Sequence, residues 1–65
     1  MKTFYRALLT QGKSVEWLSE KLGISHQAVY EWKLGRTNPS KKNIFKMAKI
    51  LKVDISVLIK EHFVV

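Results

Sequence analysis

Residues that begin and end helices recur at regular intervals along this 65-residue chain. Side chains that cap the first turn of a helix precede four apolar segments, at Ser14, Ser25, Ser40 and Asp54. Glycines, which readily take the left-handed conformation that ends a helix, follow three segments, at Gly12, Gly23 and Gly35. The pattern predicts an all-α fold of five short helices in a single domain over residues 1–65.

Apolar residues recur every three or four positions within these segments, which assigns an inward face to each helix. The predicted helices cover residues 3–11, about 14–22, about 25–34 and 40–51, and a fifth follows Asp54. Their inward residues are Phe4, Tyr5, Leu8 and Leu9; Val15, Leu18, Ser19 and Leu22; Ala28, Val29 and Trp32; Ile44, Met47, Ala48 and Leu51; and Ile55, Leu58 and Ile59. Only the tail Phe63-Val64-Val65 has a strand-like composition.

The chain is strongly basic, with 12 Lys and Arg against 5 Asp and Glu and a formal net charge of +7. Such an excess on a short chain favours a polyanionic partner, either nucleic acid or an anionic membrane surface. The alternative is that the charged surface only keeps the protein soluble. No apolar run approaches the roughly 20 residues of a membrane span, and residues 1–10 are too short for a signal peptide. We therefore expect a cytoplasmic protein.

Metal chemistry and catalysis are not expected. There are no cysteines, and His26 and His62 are far apart in the sequence with no paired carboxylate nearby. No nucleophile–base pair is visible. We expect no enzyme activity, no cofactor and no small-molecule ligand.

The second and third helices meet at Leu22-Gly23-Ile24-Ser25 with almost no spacer, which predicts a helix-turn-helix. Apolar side chains can hold the angle between the two helices; these are Leu18, Leu22, Ile24, Val29 and Trp32. The outer side of the third helix carries His26, Gln27, Tyr30, Glu31 and Leu34. Amide, imidazole, phenol and carboxylate groups can hydrogen-bond base edges in a major groove, although they can also be idle surface groups.

Residues 14–59 resemble the Cro/phage-repressor family of helix-turn-helix proteins, also called XRE-like. The residues that carry the resemblance are Leu18-Ser19-Glu20-Lys21-Leu22-Gly23-Ile24-Ser25, Val29, Trp32, Gly35, Pro39-Ser40, the run from Ile44 to Val53, and Leu58. The resemblance implies a lambda-repressor-like five-helix bundle that binds double-stranded DNA as a transcription regulator, in a bacterial or phage setting. By the resemblance, helix three is the recognition helix.

The resemblance also implies which residues contact DNA. His26, Gln27 and Glu31 occupy the base-reading positions. Phosphate-contact positions are occupied by Tyr30, Arg36, Thr37, Asn38, Lys41, Lys42 and Asn43. For Glu31 we expect a hydrogen bond from the N4 amino group of cytosine, the donor that suits an acceptor-only side chain. The alternative is that Glu31 pairs with Lys33 or Arg36 and touches no DNA.

The sequence departs from the family pattern at three places. Val15 stands where the family often has a phosphate-binding Gln, so that contact falls to the backbone, Ser14 or Lys13. Leu8 and Lys33 stand where the family often has a paired Arg and Glu. Because both partners are absent together, no buried charge is left without its counter-ion. Trp17 lies on the outer side of helix two, where it either packs on a neighbouring helix or meets a partner.

One domain reads roughly four or five base pairs, so such domains act as two-fold dimers on palindromic operators. Unless the chain is a fragment of a longer repressor, we expect a stand-alone repressor, with an activator as the alternative. We expect its dimer contacts at Ile59, Phe63, Val64 and Val65. The alternatives are a tail folded onto its own domain and an interface near Phe45 or Trp17. One other function stays open at this point, a protein-interaction module (an antitoxin or anti-repressor). A basic amphipathic membrane binder is not expected, because the capped helices and the glycine stops argue against it.

Overall fold

The computed structural model describes residues 2–63, and that range contains five α-helices. They are α1 (Thr3–Thr10), α2 (Val15–Leu22), α3 (His26–Leu34), α4 (Lys41–Leu51) and α5 (Ile55–Phe63). No strand occurs between residues 2 and 63. The all-α prediction is confirmed, and the predicted limits of the first four helices agree with the observed ones to within one residue.

The predicted capping residues make their expected hydrogen bonds at the helix N-termini. The Oγ of Ser14 accepts from the Trp17 N–H at 3.0 Å, Ser25 Oγ from Ala28 at 3.3 Å, Ser40 Oγ from Asn43 at 3.2 Å, and Asp54 Oδ1 from Ser56 at 2.9 Å. Each bond satisfies a backbone N–H that has no partner within its helix. The polar side chains therefore fix where α2 to α5 begin.

Left-handed residues end the middle three helices. Gly23 follows α2 with φ 71° and Gly35 follows α3 with φ 77°, as the sequence predicts. Helix α4 ends differently, because Lys52 takes the left-handed conformation with φ 57°. The Val53 N–H then bonds to the carbonyl of Ala48 at 3.2 Å, which closes the last turn of α4.

One apolar core joins all five helices. The buried apolar side chains are Phe4, Leu8, Val15, Leu18, Leu22, Val29, Trp32, Ile44, Met47, Leu51 and Leu58. The rings of Phe4 and Trp32 meet edge to face, with centroids 6.4 Å apart. Helix α2 packs against α3 and α4, and α1 packs against α4 and α5, so the helix-turn-helix rests on the remaining helices.

Two residues predicted to face inward are exposed. Leu9 is 53% exposed and Ile59 is 43% exposed, whereas Leu8 and Leu58 beside them are fully buried. Successive residues on a helix point about 100° apart, and the core reaches only one of each pair. The inward assignment of Leu9 and Ile59 was therefore wrong.

The two ends of the described chain are tied together. The N–H and Oγ1 of Thr3 donate to the two carboxylate oxygens of Glu61, at 2.9 and 2.6 Å. The Lys2 ammonium donates to the Glu61 carbonyl at 3.1 Å. Beside this contact, His62 is buried against the ring of Phe4, with centroids 6.0 Å apart. Helix α1 is thereby held against α5.

Candidate nucleic-acid interface

The angle between α2 and α3 is set by a short, closely packed turn. The Ile24 N–H bonds to the carbonyl of Ser19 at 3.0 Å, and the Ser19 side chain is fully buried. Its hydroxyl donates to the carbonyl of Glu16 at 2.8 Å, so the small polar side chain is satisfied within α2. Ile24 packs against the core. The predicted helix-turn-helix is confirmed, with α3 as its second helix.

A second contact joins the middle of α3 to the first turn of α2. The Tyr30 hydroxyl donates to the Glu16 carboxylate at 2.9 Å. The pKa of Glu16 is lowered by its backbone hydrogen bond and then by the bond from Tyr30. The same contact raises the pKa of Tyr30, because it favours the protonated phenol. Sequence reasoning placed Glu16 in the first turn of α2 but did not predict its contact with Tyr30.

The outer face of α3 is built as the sequence predicts. Val29 and Trp32 are buried, while His26, Gln27, Tyr30 and Leu34 are exposed. With the apolar side held in the core, this helix can present its polar side chains to a partner without rearranging. The structure thus places the proposed base-reading residues His26 and Gln27 on one accessible surface.

Glu31 occupies a more restricted position on the same face. Its side chain is 22% exposed, and its Oε2 accepts from the Gln27 amide at 3.1 Å and from the Arg36 guanidinium at 3.4 Å. The pairing with Arg36 is the alternative that the sequence left open. These hydrogen bonds do not test the contact between Glu31 and a base that the sequence predicts.

The proposed phosphate-binding residues lie near helix ends. Those before α2, after α3 and at the start of α4 are exposed except for the half-buried Asn43: they are Lys13, Ser14, Arg36, Thr37, Asn38, Lys41, Lys42 and Asn43. Tyr30, the remaining member, already donates its hydroxyl proton to Glu16. It then has no proton left to donate to a phosphate, whose oxygens only accept hydrogen bonds. Tyr30 is therefore the weakest of the proposed phosphate ligands.

The departures from the family pattern are accommodated locally. Leu8 is fully buried in the core, and the Lys33 ammonium lies 4.2 Å from the centroid of the Tyr5 ring. The absent ion pair is thus replaced by an apolar contact and a cation–π contact. Trp17 is half-buried against the core, with the ammonium groups of Lys13 and Lys21 at 4.9 and 5.8 Å from its ring centroid.

An apolar groove opens between α4 and α5. It measures about 400 Å³ and is lined by Lys41, Ile44, Phe45, Ile59 and Phe63. Phe45 is 55% exposed, and Ile59 and Phe63 are partly exposed. The proposed dimer residues Ile59 and Phe63 therefore lie together, whereas Val64 and Val65 fall outside the described residues. Phe45 was named from the sequence only as an alternative, although its place one residue after the buried Ile44 indicates an outward position.

Between residues 2 and 63, no group of three or more His, Asp or Glu side chains is arranged to hold a metal ion. No helix in the same range is long and apolar enough to cross a bilayer.

The fold and the face of α3 define a helix-turn-helix protein. The helix-turn-helix family model matches residues 5–58, which is most of the chain. The protein belongs to the Cro/C1-type, XRE-like helix-turn-helix family, and this membership indicates a DNA-binding regulator of transcription. Neither the curated proteins nor the solved structures contain a match to the chain.

Proposed function

We infer that this protein is a transcriptional repressor that binds a palindromic DNA operator as a homodimer. The observation that carries the proposal is the division of α3, whose apolar side is locked in the core while His26 and Gln27 project from the other side. An exposed, rigid helix with amide and imidazole groups suits the major groove, which distinguishes all four base pairs. Gln27 is best matched to adenine.

The charges around α4 support contact with phosphate. Lys41 and Lys42 lie in the first turn of α4, which contains no acidic residue. Cations are unfavourable beside the positive end of a helix dipole, so this arrangement weakens the isolated helix. A phosphate placed there would be bound by the free N–H groups and by both lysines. Lysines at this end of the helix are therefore favourable on a surface that binds a polyanion.

The apolar groove supports dimerisation through a second copy of the chain. A single recognition helix reads too few base pairs for specificity in a genome, and two-fold dimers double the site. The groove offers Phe45, Ile59 and Phe63 as exposed apolar side chains on adjoining helices. In a two-fold contact the same patch serves both copies, so one patch suffices. Val64 and Val65 remain part of this proposal.

Selection of bound sequences from a random duplex pool tests the proposal. The expected product is a two-fold symmetric site, with half-sites about one helical turn apart. Enrichment of a single asymmetric half-site would overturn the dimeric arrangement. Failure to enrich any sequence, with purified protein that is folded, would overturn sequence-specific binding.

The same groove favours a second candidate, a module that regulates by binding another protein. Exposed aromatic side chains on a small domain are typical of protein contacts. An antitoxin or anti-repressor of this kind would be retained by its partner protein and would bind random duplex DNA weakly. The affinity for random duplex DNA separates the two candidates, because only a DNA-binding protein should bind it tightly at low salt and lose that affinity steeply as salt rises.

A further inference from the structure

Three side chains on the recognition face form a continuous hydrogen-bonded chain. Gln27 donates its amide Nε2–H to Glu31 Oε2 at 3.1 Å, and the same oxygen accepts from Arg36 Nη1 at 3.4 Å. Gln27 lies one helical turn before Glu31, so the two side chains share one line along α3. The amide proposed to meet the DNA is thus already held on one side.

The end of α3 brings Arg36 into this chain. Gly35 adopts φ 77°, and the Arg36 N–H bonds back to the Glu31 carbonyl at 3.0 Å. This turn reverses the backbone, so the Arg36 guanidinium lies beside the carboxylate of Glu31. The Glu31 side chain is only 22% exposed, against 67% for Arg36. The carboxylate is therefore confined between its two donors.

The chemistry of Glu31 selects one orientation of the Gln27 amide. A carboxylate only accepts hydrogen bonds, so it binds the Nε2 side of the amide and repels the carbonyl side. With one N–H used, Gln27 keeps one free N–H and its carbonyl oxygen. That ordered donor and acceptor pair matches the N7 acceptor and N6 donor of adenine. A glutamine without such a neighbour can rotate its amide by half a turn and present the reverse order.

We propose that Glu31 is a positioning residue, which fixes the Gln27 amide for adenine and reads no base itself. The inference rests on the proposed function, because it assigns Gln27 to a base edge. It replaces the expected contact between Glu31 and cytosine. Arg36 neutralises the carboxylate, which would otherwise repel phosphate near the groove.

Binding-site selection with single and double variants tests this assignment. Gln27→Ala should reduce discrimination at one base pair of each half-site by roughly 5- to 150-fold. Glu31→Ala should relax the preference at that same base pair and at no other. In the Gln27→Ala background, Glu31→Ala should then change nothing at that position, because it has no amide left to orient.

Arg36→Ala is the matched control, since it removes the other donor to Glu31 and leaves the amide contact in place. It should weaken binding to all sequences while the preference at the Gln27 base pair is kept. A new loss at a different base pair in Glu31→Ala would show a direct base contact and overturn the proposal. Identical selection profiles for wild type and Glu31→Ala would overturn it as well.

A measurement on the free protein separates this inference from the proposed function. In NMR spectra the two side-chain amide protons of Gln27 should differ in chemical shift more than those of an exposed glutamine without a hydrogen-bond partner. Glu31→Ala should reduce this difference to that of an exposed glutamine, and Gln11, whose amide is held separately by the Leu51 carbonyl at 2.8 Å, should not change. Unaltered Gln27 signals would overturn the positioning role, whereas absent DNA binding by the wild type would overturn only the proposed function.

Discussion

At the scale of single residues, the burial of His62 stands out because its ring has no polar neighbour to bond. The side chain is 3% exposed, and neither ring nitrogen finds a hydrogen-bond partner among residues 2–63. Burial lowers the pKa of His62, and the nearby Lys2 ammonium lowers it further, while the Glu61 carboxylate acts in the opposite sense. The imidazole is therefore held in its neutral form in the folded protein.

This burial predicts that the free energy of unfolding falls on mild acidification. The unfolded chain protonates His62 near its ordinary pKa of 6.5, and the folded chain resists protonation. Below pH 6.5 the unfolded state then binds more protons, so stability decreases until the folded pKa is passed. Urea unfolding between pH 7.5 and 5 should show this slope in the wild type and lose it in His62→Leu.

The exposed His26 provides the control for that experiment. His26→Gln should keep the slope of the wild type, because the exposed His26 side chain is not removed from water when the chain folds. Glu61 titrates lower, since hydrogen bonds from Thr3 outweigh the effect of burial and lower its pKa from 4.5. The stability that the Glu61 carboxylate contributes is therefore lost only at pH values below the range of the urea experiment. An unchanged slope in His62→Leu would contradict the account.

Gln27 and Lys42 should differ in kind when each is replaced by alanine. Gln27→Ala should relax one base preference at about 1–3 kcal/mol, because an amide reads a base edge. Lys42→Ala should weaken all duplexes alike and reduce the salt slope by about one per subunit, because an ammonium meets phosphate without reading sequence. Titrations of operator and random DNA would measure both. Equal losses on both duplexes for Gln27→Ala would show that the reading face lies elsewhere.

Residue-level predictions from sequence succeed where one local rule decides the outcome. The capping serines were assigned correctly because a cap depends on a few adjacent residues. His62 was missed as a core residue, although it follows the buried Leu58 by four positions on the same helical face. The pairing of Glu31 with Gln27 and Arg36 could not be chosen from sequence, because exposed side chains have several partners within reach.

At the scale of helices, the end of α4 contains the one non-glycine residue with positive φ among residues 2–63. Lys52 takes φ 57°, a conformation in which a side chain crowds the following carbonyl at roughly 1–2 kcal/mol. Glycine at this position avoids the clash, but its greater freedom in the unfolded chain lowers the free energy of unfolding by about 0.5–1 kcal/mol. Lys52→Gly should therefore stabilise the protein by about 0.5–1 kcal/mol.

Lys46→Gly is the matched control, because it removes the same charge from an exposed position inside α4. Glycine within a helix should destabilise by about 1 kcal/mol. Thermal unfolding of both variants measures the difference. A loss in Lys52→Gly equal to that in Lys46→Gly would contradict the account of how α4 ends.

Helix limits were predictable because capping and stop residues coincide with the apolar period. The end of α4 was the harder case, since no glycine marks it and the limit was placed at Leu51 by the last inward residue. The inward faces of α1 and α5 were drawn too wide at Leu9 and Ile59. A helix near the edge of a small core buries a narrow stripe, and its width depends on the packing of the other helices.

At the scale of the whole molecule, we propose that two copies of the chain meet at the groove between α4 and α5. Phe45→Ser and Ile59→Ser should each weaken the dimer by about 1–2 kcal/mol while the monomer stays folded, because both side chains are already exposed. Leu9→Ser, at an exposed leucine outside the groove, is the control. Sedimentation equilibrium should show the two groove variants dissociating first. An unchanged dimer in both would place the interface elsewhere.

The salt dependence of binding to duplex DNA shows whether the basic surface of this protein contacts phosphate. If a dimer neutralises roughly 6–8 phosphates, the logarithm of the association constant should fall against the logarithm of salt concentration with a slope near −5 to −7. Titration of a labelled random duplex between about 50 and 200 mM salt measures the slope. A steep negative slope supports phosphate contact by the basic side chains before α2, after α3 and at the start of α4. A flat response would contradict DNA binding through this surface.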